Sequence, residues 1–320
     1  MSHLEKDIQK IIIQNDSFAI ASHTNPDSDA IGSCLALALA LRKLQKTVYV
    51  LLEPFHDKNK IIPGQDLIWR GNQEPKVNVF IALDCGNLER LGTGREALKQ
   101  ADITITIDHH VSHKEYTQIL YLDSKASSTC ELIYRLITPI VSLDKDIASA
   151  IYAGMLTDTG GFRHPSTGVE TIMITAELFR QGIPFTELYN ELMRRHTNTE
   201  MLIFRTALNN LDMRMDGRIA AAAISAQEMS EVGGDASDTD GIAEYMLNIR
   251  GVEAAIFAYE KIPSQVKVSM RTQHIDASRI AAAFGGGGHI HAAGCSMSTD
   301  VKRAAELIIQ EVIKELDNRP

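Results

Sequence analysis

Short apolar runs that end in an acid or a histidine, with helical segments between them, constrain this chain more than any other feature. Phe18 to Ser22, Val77 to Leu83 and Ile103 to Ile107 are dominated by apolar and β-branched residues, as in strands buried on both faces. Helix is expected at Leu4 to Ile13, Ser28 to Leu44 and near Arg90 to Gln100, with a further strand at Thr47 to Leu52. Strands and helices alternating in this way predict an α/β fold with a doubly wound, mostly parallel sheet. Such a sheet binds its ligands beyond the carboxyl ends of its strands. There the chain places His23-Thr24-Asn25-Pro26-Asp27-Ser28-Asp29, then Asp84, then Asp108-His109-His110.

With 320 residues the chain exceeds the usual size of one hydrophobic core, so two domains are expected. From Ser128 to Leu211 the apolar spacing turns helical, over Ser128 to Ile137, Lys145 to Leu156, Val169 to Arg180, Phe185 to Arg194 and Thr199 to Leu211. Strands return at Arg218 to Ile224, Val252 to Tyr259 and Gln265 to Met270, followed by helices at Ala277 to Ala283 and Val301 to Leu316. The expected division is a first domain over 1–190, a helical linker over 191–211 and a smaller α+β domain over 212–320, with Glu231 to Asp240 as a flexible loop.

Composition narrows the function classes. A net charge of −9 disfavours a footprint on long duplex nucleic acid, which needs a basic face. The longest apolar stretch, Cys34 to Leu41, is about half of what a membrane span requires. Met1 to Lys10 lacks the apolar core of a signal peptide. A cytoplasmic protein is the expectation. Cys34, Cys85, Cys130 and Cys295 form no CxxC pair, so they read as buried or semi-buried thiols rather than a zinc or disulfide framework.

Pro26 excludes regular helix from the first loop, so His23, Asp27 and Asp29 can converge on one side of it. Asp27 or Ser28 alone reads as a helix cap, but capping does not call for three candidate ligands. Asp158, in Thr157-Asp158-Thr159-Gly160-Gly161, ends a helix where the dipole disfavours a carboxylate unless a cation compensates. Five carboxylates gathered with histidines need divalent cations, and mixed carboxylate and imidazole ligands suit manganese better than magnesium, with zinc, cobalt or iron also fitting. Two such ions bridged by a carboxylate would generate hydroxide and clamp a phosphoryl group. In the second domain Gly285, Gly286, Gly287, Gly288 and His289 read as an anion-binding loop. Arg271 is a natural phosphate partner, and Arg163 and His164 can also reach a phosphate. His3, His56, His113, His196, His274 and His291 are singletons without a supporting pattern.

His23 to Ser33 (HTNPDSDAIGS), Asp84, the DHH at 108 to 110, TDTGGFR at 157 to 163 and GGGGHIHAAG at 285 to 294 resemble, in order, the motifs of the DHH phosphoesterases that carry a C-terminal DHHA1 domain. The short two-domain layout is similar to the nanoRNase/pAp-phosphatase branch of that family. The resemblance implies one manganese ion on His23, Asp27 and Asp84 and a second on Asp29, Asp84, His109 and Asp158. It implies that Asp108 orients His109 and that His110 faces the substrate phosphate or leaving oxygen. Arg271, the glycine loop and His289 would grip a nucleotide across an interdomain cleft, and a homodimer is common in such proteins. His164-Pro165-Ser166-Thr167 departs from the family pattern after Arg163. Hydrolysis of short oligoribonucleotides and of 3′-phosphoadenosine 5′-phosphate is the leading expectation. The alternatives are hydrolysis of cyclic dinucleotides or pApA, an exopolyphosphatase or pyrophosphatase, for which Lys267, Arg271 and Arg279 are a thin basic set, and a non-catalytic nucleotide sensor.

Overall fold

The structure is a computed structural model that describes residues 3–71, 73 and 75–317. It divides into two compact units, Met1–Arg195 and His196–Pro320. The first is built on strands β1 (Ser17–Ala21), β2 (Thr47–Leu51), β3 (Val79–Leu83), β4 (Ile103–Asp108) and β5 (Ile119–Leu122). Their order is β2-β1-β3-β4-β5 and every neighbouring pair is parallel. Ile20, Ile81 and Ile105 stand in register on the face that packs beneath α1 (His3–Gln14), α2 (Ser28–Lys43), α4 (Thr129–Ile137) and α5 (Lys145–Asp158). Ala19, Ala21, Phe80 and Ala82 point the other way, onto Leu91 and onto Ala97 of α3 (Arg95–Gln100). Both faces are covered, which explains unbroken apolar runs in place of alternation.

In this strand order the chain runs outward from β1 in both directions, so the switch point lies between β1 and β3. That is where an open α/β sheet leaves a crevice at its carboxyl edge. At the crevice begins α2, in which every residue from Ser28 to Leu41 is buried. It lies close against α5 because Gly32 and Gly154 stand at the contact. A Cβ on Gly32 would come within 2.6 Å of the Ala150 carbonyl oxygen, and one on Gly154 within 2.3 Å of Cys130 Sγ. The unit closes with α6 (Val169–Arg180), α7 (Phe185–Tyr189) and a π-helical turn at Asn190–Arg194.

The second unit holds α8 (Asn198–Asn209), β6 (Asp212–Arg214), β7 (Ile219–Ile224), α9 (Ala226–Glu231), α10 (Ile242–Leu247), β8 (Ala254–Ile262), β9 (Gln265–Thr272), α11 (Ala277–Ala283), β10 (Gly287–His289), β11 (Ala292–Met297) and α12 (Val301–Asp317). Its sheet runs β10-β11-β9-β8-β7-β6, parallel only between β7 and β8. Along β7, Ile219 and Ala221 face α12 while Ala220, Ala222 and Ile224 face α8, α9 and α10. This is the period-2 pattern of a strand between two helical layers.

Differences from the sequence expectation have local causes. The helix expected near Arg90 begins only at Arg95, because Gly92 takes a φ of +57°. Residues 191–211 do not form one helical linker. A π turn ends at Arg194, and α8 begins at Asn198 and buries Ile203 and Ala207 in the core of the second unit. The loop Glu231 to Asp240 contains a helical turn, Ala236–Thr239, capped by Asp235. Strands β10 and β11 are dominated by Gly and Ala, which carry little strand propensity. No helix among the described residues is long and apolar enough to cross a membrane, and all four cysteines are free and buried.

Candidate metal centre

The loop after β1 resolves the choice between a cap and a ligand at Asp27. Its Oδ1 accepts from the backbone N–H groups of Asp29 and Ala30, both at 3.0 Å, and so caps α2. Its Oδ2 lies 3.9 Å from His23 Nε2. The ring of His23 is fixed by donation from Nδ1 to the Thr24 carbonyl at 2.8 Å, which leaves Nε2 as the lone-pair nitrogen of the neutral ring. That nitrogen is also 3.7 Å from Asp84 Oδ2.

Asp29, in the first turn of α2, is 1% exposed. Its two oxygens accept from the N–H groups of Thr129 at 2.7 Å and Cys130 at 2.9 Å, at the first turn of α4, where the helix dipole favours an anion. Asp84 follows β3 with a φ of +54°, a left-handed conformation that Asp tolerates better than most residues. Thr129 Oγ1 donates to Asp84 Oδ1 at 3.0 Å. Thr129 therefore serves two of the acids, and the Ser127-Ser128-Thr129 run before the helix was its available sequence signal. Gly154 is another contributor that the sequence does not announce. A Cβ there would stand 2.5 Å from Asp29 Oδ1.

Asp108 is fully buried and is the hub of the histidines. Its Oδ1 accepts from the backbone N–H groups of His109 at 2.8 Å and His110 at 3.1 Å, and from His110 Nδ1 at 2.7 Å. Its Oδ2 accepts from His113 Nδ1 at 2.6 Å. This corrects the expectation that Asp108 orients His109. Only the backbone of His109 reaches it, while the rings it holds are those of His110 and His113. His109 Nε2 lies instead 3.4 Å from Asp158 Oδ2 and 3.6 Å from Asp84 Oδ1. His113, read as a singleton, is a buried partner of this carboxylate.

Three groups of donor atoms result, each compact enough to hold an ion: His23, Asp27 and Asp84; Asp29, His109 and Asp158; and Asp84, His109 and His110. Electrostatics points the same way. Burial, then repulsion from Asp84 and Asp158, pushes the Asp29 carboxyl well above its ordinary range. Burial and then Asp27 raise Asp84, and burial with Asp84 and Asp27 lifts Asp158 to about 8. Burial opposes the charge of Asp108 as well, but its hydrogen bonds from His110 and His113 outweigh it and bring the carboxyl down to about 2. The hydrogen bond to Asp108, above the opposing burial, carries His110 up to about 9. Acids that cannot all be charged in isolation, next to the Nε2 lone pair of His23, suit divalent cations.

Residues 17–155 match the N-terminal domain of the DHH family, and residues 216–318 match the DHHA1 domain. The chain is a DHH-family phosphoesterase. It is 29% identical over 300 residues to the bifunctional oligoribonuclease and PAP phosphatase NrnA of Thermus thermophilus, spanning 93% of this chain and 89% of that protein. It is 27% identical over 303 residues to the protein of the same description from Bacillus subtilis, spanning 92% and 93%. Among solved structures, an exopolyphosphatase-related protein from Bacteroides fragilis matches with a TM-score of 0.89 at 28% identity, over 97% of this chain and 95% of that one.

Around the DHH site, Arg163 is exposed, with its Nε donating to the Gly160 carbonyl at 2.7 Å. His164 Nδ1 donates to the Asp158 carbonyl at 3.1 Å. In the DHHA1 domain Arg271 lies inside β9, paired with Ala292 and Ala255, and its Nη1 bonds the Met270 carbonyl at 3.0 Å. His289 is exposed in β10. The four glycines divide. A Cβ on Gly286 would lie 2.2 Å from the Gly294 carbonyl oxygen, and one on Gly288 2.5 Å from that of Ala292, whereas Gly287 faces open space. Gly286 and Gly288 thus have a packing role that the anion-loop reading did not include.

Proposed function

We propose that this phosphoesterase hydrolyses short oligoribonucleotides and 3′-phosphoadenosine 5′-phosphate with two divalent ions, manganese by preference. One ion falls to His23, Asp27 and Asp84 and the other to Asp29, Asp84, His109 and Asp158. The observation that carries the reading is the position of Asp84, whose two oxygens face His23 on one side and His109 on the other. Divalent ions held there would supply positive charge to the phosphoryl group and a water that deprotonates near neutral pH. The chain's own groups do the rest. The first turn of α4 and Thr129 hold Asp29 and Asp84 in place, and His110, bonded through Nδ1 to Asp108, presents its Nε2 proton to the leaving oxygen. Arg163, Arg271, Gly285, Gly286, Gly287, Gly288 and His289 are assigned to the nucleotide's phosphates, with the 1–190 domain hydrolytic and the 212–320 domain substrate-binding. The net negative charge supports small nucleotides over long duplexes, and the NrnA proteins matched over nine-tenths of the chain support the substrate class. A cytoplasmic homodimer completes the proposal.

The test is a panel of dinucleotide, 3′-phosphoadenosine 5′-phosphate, pApA, cyclic dinucleotide, long RNA, pyrophosphate and polyphosphate, each with manganese, magnesium, cobalt and zinc. Fastest turnover is expected for the dinucleotide or 3′-phosphoadenosine 5′-phosphate with manganese. Faster phosphate release from pyrophosphate, or long RNA degraded as fast as a dinucleotide, would overturn it.

A further inference from the structure

His113 closes a turn with His110, its backbone N–H donating to the His110 carbonyl at 3.2 Å. Its side chain is 1% exposed. The ring stacks on Tyr116 with centroids 5.7 Å apart and planes at 28°, and the Tyr116 hydroxyl is tied to the Cys85 carbonyl at 2.8 Å. Nδ1 of His113 donates to one oxygen of Asp108 while the ring of His110 donates to the other. The His113 Nε2 is buried with no hydrogen-bond partner. Leaving a polar nitrogen in that state is unfavourable, so an apolar ring would fill the space more favourably. What an apolar ring lacks is the donor to Asp108.

We infer that His113 is a positioning residue for phosphoester hydrolysis. It clamps the second oxygen of Asp108, so that the first holds the His110 ring with Nε2 toward the leaving oxygen. The inference rests on the reading of His110 as the proton donor. In that reaction the hydroxyl of water joins phosphorus, and the bond from phosphorus to the nucleoside oxygen breaks with its electron pair. That oxygen takes the His110 Nε2 proton, and the proton shed by the water restores His110. Without His113 the Asp108 carboxylate keeps the bonds to its first oxygen and loses the one that fixes its second, so its plane can tilt and the His110 ring with it.

The experiment compares two substrates on the full-length protein with manganese. The leaving group is a ribose hydroxyl in pApA, which needs a proton, and 4-nitrophenolate in the 4-nitrophenyl ester of thymidine 5′-phosphate, which does not. The ratio of the two kcat values is independent of the fraction folded. His113→Leu is expected to lose about 10-fold to 100-fold in kcat on pApA, as outer-shell partners do, and little on the aryl ester, with KM unchanged. His113→Asn, whose amide N–H falls near the lost Nδ1–H, should recover most of the loss. Should His113→Leu fail to fold, His113→Gln, whose amide reaches toward Nε2 instead, takes its place. In metal-free, 15N-histidine-labelled protein the same replacement should shift the His110 Nδ1–H resonance and His113→Asn should not. Equal slowing on both substrates, or no rescue by Asn, would overturn the inference. If His110→Asn itself slows both substrates equally, the proton-donor reading fails. If His110→Asn discriminates and His113→Leu does not, only the inference about His113 fails.

Discussion

The DHH centre and the glycine hairpin of the DHHA1 domain both gather residues that a stable fold should avoid, yet for different reasons. At the centre the unfavourable feature is charge. Asp29 and Asp108 are buried with all four of their oxygens hydrogen-bonded, and Asp27 spends one oxygen on a helix cap. Nothing in packing calls for those charges, so their fixed geometry marks chemistry. In the hairpin the unfavourable feature is glycine, and half of it is accounted for by close strand approach at Gly286 and Gly288. An unfavourable residue thus points to function only after its steric role has been subtracted.

The comparison breaks first at Asp84. Asp84→Asn is expected to lower activity on the order of a thousandfold, the scale of removing a central electrostatic group, and to abolish manganese retention measured by elemental analysis. Because Asp84 is held against repulsion from Asp27, and itself raises Asp29 and Asp158, the metal-free variant should melt above the metal-free parent. A lower melting temperature would mean that the acids stabilise the fold and that their convergence needs no cation.

Gly154→Ala tests whether the packing around the charges is as strict as their hydrogen bonds. The new Cβ would meet Cys130 Sγ at 2.3 Å and Asp29 Oδ1 at 2.5 Å. Overpacking of this kind costs about 1–3 kcal/mol, to be read from urea denaturation, and activity should fall further than stability because Asp29 must move. Full activity at unchanged stability would show that α2 and α5 can separate without disturbing the site.

Metal-free protein should lose stability as pH rises. Asp158, at about 8, and the raised Asp29 and Asp84 keep protons in the folded state that the unfolded chain releases above about pH 4. His110, at about 9, adds a loss between about 6.5 and 9. Asp108, at about 2, works in the opposite sense, and its contribution disappears only as pH falls below about 4. Melting temperatures in EDTA should therefore decline from about pH 5 to 9 and recover with manganese, most strongly at high pH. A flat profile in EDTA would show that the acids do not repel one another as placed.

The contrast also explains what the sequence makes legible. The apolar runs announce β1, β3 and β4, and strand ends in a doubly wound sheet have one place to go, so His23, Asp84 and Asp108 are found without coordinates. Helix α5 carries Asp158 to the same crevice through spacing that is equally readable. Thr129, Gly154 and His113 are not legible in that way. Each acts through a neighbour distant in sequence or through a turn, and a threonine at a helix start, a glycine in a helix or a lone histidine has a commoner explanation. In the second unit β10 and β11 escape detection because their residues are chosen for thinness rather than for strand propensity.

The finest division lies inside the hairpin. Gly286→Ala meets backbone at 2.2 Å and should destabilise the DHHA1 domain. Gly287 sits in β10 opposite Gly294, without a left-handed φ and with open space where a Cβ would go. Alanine there should leave the fold intact and raise its stability by about 0.4–1 kcal/mol through a less flexible unfolded chain. If the hairpin holds a nucleotide phosphate by close backbone approach, Gly287→Ala should raise KM for 3′-phosphoadenosine 5′-phosphate while stabilising the protein. An unchanged KM in a stabilised variant would remove Gly287 from the binding surface and leave the hairpin's glycines to packing alone.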